Sequence, residues 1–202
     1  MTHRRSLLRV GTLATAAIAL GWAARRGDSE AFAGTPVDPR PAPPLVLPDD
    51  RGRTFDLARH RGSVVLVYFG YTHCPDVCPA TLAELTTDIK ALGADAARMR
   101  YVFVTLDPAR DTPGVLKDYV GSFDSHIIAL TGTSSQVAKV AKEWSVFYRI
   151  VPGGGKDYTL EHSASSYLMD KNGRFAGFFT FNDSPATQLA KIRDVINGKS
   201  AL

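Results

Sequence analysis

Apolar positions along this chain follow two rhythms. Residues 63–69 (SVVLVYF) form a short, nearly unbroken, valine-rich run, the pattern of a strand buried on both faces of a sheet and hence central in a fold. Beyond it, Leu82, Leu85, Ile89 and Leu92 recur at helical spacing. They follow Pro75 and Pro79, which a helix tolerates only in its first turn. Residues 100–106 (RYVFVTL) predict a second buried strand, 112–120 a helix, 127–130 a third strand and 134–144 another helix. Such βαβ alternation implies parallel strands joined by right-handed crossovers. The last third of the chain changes grammar. Residues 165–169, the turn Asp170-Lys171-Asn172-Gly173 and residues 174–180 predict an antiparallel hairpin on an Asn-Gly turn, and a helix over 186–196 closes the chain.

A parallel βαβ half followed by a hairpin and a helix is the layout of thioredoxin-like folds. The expected fold class is therefore α/β, a central mixed sheet flanked by helices over residues 49–202. Upstream, residues 34–48 carry Pro36, Pro39, Pro41, Pro43, Pro44 and Pro48, a density that favours extended polyproline-like chain and reads as a spacer. Residues 1–33 read as an export signal or a membrane anchor. Arg4, Arg5 and Arg9 precede an apolar run over 10–24 without an acidic residue, the Arg4-Arg5 pair resembles a twin-arginine signal, and Ala31-Phe32-Ala33 offers a small-x-small cleavage site. The run is short against the roughly 20 residues that a spanning helix needs. Cleavage and retention both stay open.

Charge changes the picture little. The formal net charge is +4, but the first 33 residues hold five of the 24 basic residues and only two of the 20 acidic ones. The basicity is mostly an address. No polybasic patch with interleaved aromatics occurs in the body, which argues against a nucleic-acid partner.

Chemistry concentrates on the only two cysteines, Cys74 and Cys78, in the run Tyr68-Phe-Gly-Tyr-Thr-His-Cys74-Pro-Asp-Val-Cys78-Pro79. A disulfide that close would clamp a very short loop and add little stability, so the pair reads as chemical. It sits where a buried strand feeds a helix N-terminus, and unpaired amides there favour thiolate, the form that attacks disulfides and binds metal. In a thioredoxin-like fold the loop entering the final hairpin lies opposite this turn. Here that loop is Glu161-His162-Ser163-Ala164, and no proline occurs between Pro152 and Pro185 to supply the cis-proline of thiol-redox enzymes. Two thiolates and one imidazole suit Cu(I), whereas structural zinc usually takes four ligands and iron-sulfur clusters usually four cysteines. Asp107 is a candidate further donor for Cu(II).

Other signals read as ordinary structure. His60 and His126 are expected to be surface or capping residues, and His73, beside Cys74, to tune that thiol rather than share its metal. Asp107-Pro-Ala-Arg-Asp111 serves equally as helix capping or as site support. Gly153-Gly-Gly-Lys156 lacks the spacing of a phosphate loop and reads as a flexible connection. Among the aromatics beside the first strand, Tyr71 is the one expected to be exposed.

FGYTHCPDVCP, TLDPARDTP (residues 105–113) and EHSASSYLMDKNGRF (residues 161–175) resemble the three signature blocks of the Sco (SenC) family, in the same order. The resemblance implies a copper-binding metallochaperone, periplasmic or at the outer face of the cytoplasmic membrane, that serves the dinuclear copper site of cytochrome c oxidase. Its implied metal ligands are Cys74, Cys78 and His162, its cofactor Cu(I) or Cu(II), and its partner the oxidase's copper-site subunit or another copper chaperone. Asp107 and Asp111 match the family's acidic block. Glu161 stands where the family often has aspartate. Two alternatives remain open on the same residues: an exported thiol-disulfide reductase acting on the cysteines of a copper-site apoprotein, and a redox sensor.

Overall fold

The computed structural model describes residues 40–153 and 157–201. The leader, the cleavage site and the start of the proline-rich stretch lie outside these residues. In chain order the elements are β1 (Val46–Pro48), β2 (Thr54–Asp56), a 3-10 turn (Leu57–His60), β3 (Val64–Gly70), α1 (Val77–Leu92), a second 3-10 turn (Gly93–Arg98), β4 (Met99–Thr105), α2 (Pro113–Gly121), β5 (Ile127–Leu130), α3 (Ser134–Glu143), β6 (Tyr148–Pro152), β7 (Tyr158–His162), β8 (Ser165–Met169), β9 (Phe175–Thr180) and α4 (Pro185–Ile196). Among the described residues, no helix is long and apolar enough to cross a membrane.

The main sheet has the order β5-β4-β3-β8-β9. Its centre, β3, is parallel to β4 and antiparallel to β8, and all seven of its residues are buried. This is the mixed sheet expected from the sequence, and the unbroken apolar run follows from it, because both faces of β3 are covered. The Asn-Gly turn also forms as expected. Gly173 adopts φ 74°, and the Asp170 carboxylate accepts from the N–H groups of Asn172 and Arg174. Thr112, Thr133 and Ser184 cap α2, α3 and α4 with side-chain oxygens.

Two parts depart from expectation. Residues 40–48 are not a free spacer. Pro41 bridges Arg174, the Trp144 indole N–H donates to the Pro44 carbonyl, and Leu45 and Leu47 are buried to 1% exposure or less. The period-two alternation of Leu45, Val46 and Leu47 is a strand signal, and the neighbouring prolines mask it. The segment 148–162, expected to end in a loop, is a two-stranded hairpin in which β6 pairs with β7, and His162 is the last residue of a strand. Tyr71 is also corrected, being 1% exposed.

One glycine sets the approach of α1 to the sheet. At the end of β3, a Cβ on Gly70 would lie 2.8 Å from Cys78 Sγ and 3.0 Å from a Phe103 ring carbon, closer than packed atoms tolerate. Gly70→Ala is therefore expected to destabilise the reduced chain by about 1–3 kcal/mol, read as a lower urea midpoint at unchanged slope. An unchanged midpoint would show that the helix start has room to shift.

Candidate metal centre

The turn between β3 and α1 brings the two sulfurs together. Cys74 is half-buried and Cys78 fully buried. Asp76 occupies the N-cap position of α1 but makes no capping bond with its side chain. The Cys74 sulfur takes that role, accepting the Cys78 backbone N–H at 3.4 Å. A thiolate there gains both a hydrogen bond and the positive end of the helix dipole. From the strand side, the Tyr68 hydroxyl donates to Cys78 Sγ at 3.5 Å.

The third group arrives from β7. His162 Nε2 lies 3.4 Å from Cys78 Sγ, and its Nδ1 lies 2.9 Å from the Ser163 carbonyl oxygen. A carbonyl only accepts, so the proton sits on Nδ1 and the Nε2 lone pair is left toward the sulfurs. The edge of the Tyr71 ring packs against the imidazole at 5.8 Å and 85°. The ligand atoms of Cys74, Cys78 and His162 all lie within 4.8 Å of one another, and among the described residues this is the one such group of three or more.

The two thiols are unequal. The Cys74 pKa is lowered, first because the Cys78 thiol donates to its sulfur, with the N–H groups of Asp76 and Cys78 assisting against the opposing effect of burial. Cys78 is pushed up strongly, by sharing its proton with Cys74 and by burial. The resting pair thus carries one proton, held on the inner sulfur.

The acidic candidates lie elsewhere. Asp107 accepts from Arg110 Nε at 2.5 Å and from the Tyr158 hydroxyl at 2.8 Å, so it is an ion-pair partner outside the thiol cluster. Asp111 is fully buried and accepts from the Thr72 N–H, the Thr72 hydroxyl and the Thr105 hydroxyl. It supports the cysteine turn, while Thr112 caps α2. Glu161 is exposed and paired with Arg149 on the outer side of the hairpin. His73 is half-exposed beside Thr72 and Asp111, His60 stacks on Phe55, and exposed His126 pairs with Asp124. Sequence reasoning missed Tyr68 and Gly70 as neighbours of Cys78. For Gly70 the signal was a glycine ending an apolar strand just before the cysteines, a mark of close backbone approach.

Two soft thiolates and an imidazole with a free lone pair fit copper, and the three-donor set leaves a position open. Comparisons with known proteins agree with that chemistry. Residues 36–197 match the family model described as SCO1/SenC. The SCO2-like protein of Rickettsia prowazekii is 41% identical over 138 residues, covering 67% of each chain. Among solved structures, Bradyrhizobium japonicum ScoI with copper bound is 38% identical with a TM-score of 0.71, covering 76% of this chain and 98% of that one. Yeast Sco1 with copper bound is 34% identical with a TM-score of 0.72, covering 79% and 90%. With the fold, the ordered motifs and these matches in agreement, this chain belongs to the SCO1/SenC family.

Proposed function

We propose that this chain binds one copper ion, as Cu(I) or Cu(II), through Cys74, Cys78 and His162, and serves assembly of the dinuclear copper site of cytochrome c oxidase. The metal passes to the oxidase's copper-site subunit or to another copper chaperone. The observation that carries this reading is the convergence of three soft or borderline donors within 4.8 Å, with the imidazole tautomer set for ligation by the Ser163 carbonyl. The copper-bound structures of two relatives support the metal, and the description of the Sco family as cytochrome c oxidase assembly proteins supports the process. The arginine-led leader supports export, with action in the periplasm or at the outer face of the cytoplasmic membrane.

The geometry suits a cargo site. Cys74 and His162 are each partly exposed while Cys78 is sealed, so an incoming ligand meets copper from the Cys74 and His162 side. The buried sulfur holds the ion last. Binding requires Cys78 to give up its proton, because thiolate is the ligand form.

A second reading, a thiol-disulfide reductase for a copper-site apoprotein, is favoured by the same inequality of the thiols. The Cys74 thiolate attacks one sulfur of a client disulfide and expels the other as a thiolate. The Cys78 sulfur, passing its proton to a client sulfur, then attacks Cys74, leaving Cys74–Cys78 oxidised and the client with one thiol and one thiolate that takes its proton from water.

Copper titration of the reduced chain separates the two. One copper per chain is expected, with affinity rising as pH increases, because the raised Cys78 pKa means that uptake expels a proton near neutrality. His162→Ala and Cys74→Ser should each cost at least as much as the roughly 10–100-fold that loss of an outer-shell partner costs. Wild type that binds no copper yet reduces protein disulfides would overturn the chaperone reading in favour of the reductase.

Thiol alkylation of the copper-free chain tests the inequality itself. Because the Cys74 pKa is lowered, its thiolate persists at pH values where an ordinary thiol is protonated. Iodoacetamide should modify Cys74 at a nearly constant rate between about pH 5 and pH 8, whereas an ordinary thiol gains about tenfold per pH unit over that range. A tenfold rise per unit at Cys74 would show that it is an ordinary thiol.

A further inference from the structure

The donors arrive on two separate pieces of chain, and the imidazole piece is the weaker. The β6–β7 hairpin is a two-stranded ribbon outside the main sheet. All of β6 after Tyr148 is exposed, and of β7 only Leu160 is buried. An isolated ribbon of this kind is at best marginally stable in water. Something on the body must hold it for His162 to be presented in one place.

Strand periodicity shows where that hold acts. Successive side chains alternate between faces, so Tyr158, Leu160 and His162 share the inward face of β7, and Thr159 and Glu161 point out, both exposed. Each inward residue before the histidine is fastened to the body. At Tyr158, Arg110 Nη1 donates to the backbone carbonyl at 2.9 Å. The Arg110 guanidinium carbon stacks 3.6 Å from the centre of the Tyr158 ring, and the Tyr158 hydroxyl donates to Asp107 at 2.8 Å. Asp107 accepts from Arg110 Nε in turn, closing the cluster on itself. At Leu160, the backbone N–H donates to the Tyr71 hydroxyl at 3.1 Å. Tyr71 belongs to the cysteine turn and packs against His162.

We propose that Arg110, aligned by Asp107, is a positioning residue for the metal site: it clamps Tyr158 and so holds β7 in the register that presents His162 Nε2 to the two sulfurs. The inference rests on the copper reading above and adds to it a residue that touches no ligand. Asp107, matched to the family's acidic block and considered as a copper donor, acts instead through the arginine. Loss of the clamp acts on copper through His162 and leaves the dithiol intact.

A double-mutant cycle in the full reduced chain tests this, using Cu(I) competition titration of wild type, Arg110→Ala, His162→Ala and the double variant. Arg110→Ala is expected to weaken Cu(I) binding by about tenfold or more, the size typical of outer-shell losses, and to have no effect when His162 is already alanine. Equal losses in the two backgrounds, or no loss in either, overturn the proposal. Tyr158→Phe keeps the stacked ring and removes only the bond to Asp107. It should weaken binding less, again only while His162 is present, and it serves where Arg110→Ala does not fold. Backbone hydrogen exchange of the copper-free chain gives a reading independent of metal. Arg110→Ala should speed exchange at β7, Leu160 included, while β3 keeps its protection. Unchanged exchange at β7 counts against the clamp. Wild type that fails to bind Cu(I) overturns the copper reading, and the exchange comparison then judges the clamp alone.

Discussion

Everything at the site hangs from the short connection after β4. Asp111, with 0% exposure, takes hydrogen bonds from the Thr72 backbone, the Thr72 hydroxyl at 2.6 Å and the Thr105 hydroxyl at 2.5 Å. A carboxylate in such a place is tolerable only when its oxygens are fully engaged, so the end of β4 and the turn that carries Cys74 are bound to one fixed arrangement. Asp107, four residues earlier, and Arg110, directly before Asp111, engage the hairpin that carries His162. A single connection thus holds both pieces of the donor set.

This division explains why the two halves of the site differ in character. The sulfurs lie at the junction of a sealed strand and a helix, and Gly70 lets that of Cys78 sit directly against the sheet. The imidazole sits at the end of a ribbon held by a few polar contacts. Local opening follows the density of buried apolar contacts, so the hairpin is the part of the site that opens at lower cost. On the proposed delivery role, one firm half and one detachable half let ligand exchange start at the imidazole, the donor that leaves most easily.

The main fold was legible because its elements obey simple periodicities. Buried β3 and β4 read as continuous apolar runs, α1 as apolar residues at helical spacing, and the β8–β9 hairpin as an Asn-Gly turn between strands. The thiol pair was legible from its place at a strand-to-helix junction. The β6–β7 hairpin was obscured because most of its described residues are exposed, so no apolar alternation stands out, and the sequence Gly153-Gly-Gly-Lys156 drew attention as a loop. The pairing of Tyr148 with His162 is a non-local fact that local composition does not carry. Asp107, a candidate donor in the sequence, lies outside the thiol cluster for a related reason. An acidic residue near a metal site suggests ligation, and its engagement by Arg110 and Tyr158 depends on a strand some fifty residues away.

The inequality of the two thiols bears on both proposed activities. A thiolate held at the start of α1 next to a protonated, buried thiol is ready for either copper or a disulfide, and helix placement alone does not choose between them. His162 does. Its Nδ1–H is fixed on the Ser163 carbonyl, which leaves Nε2 as a donor of electrons rather than of protons. Had the imidazole been placed to assist thiol exchange by proton transfer, burial of the sulfur it faces would serve little, since Cys78 is sealed and only Cys74 is reachable by a client. A lone pair aimed at a sealed sulfur is useful chiefly when a metal ion joins the two, and that asymmetry weights the constellation toward carrying copper.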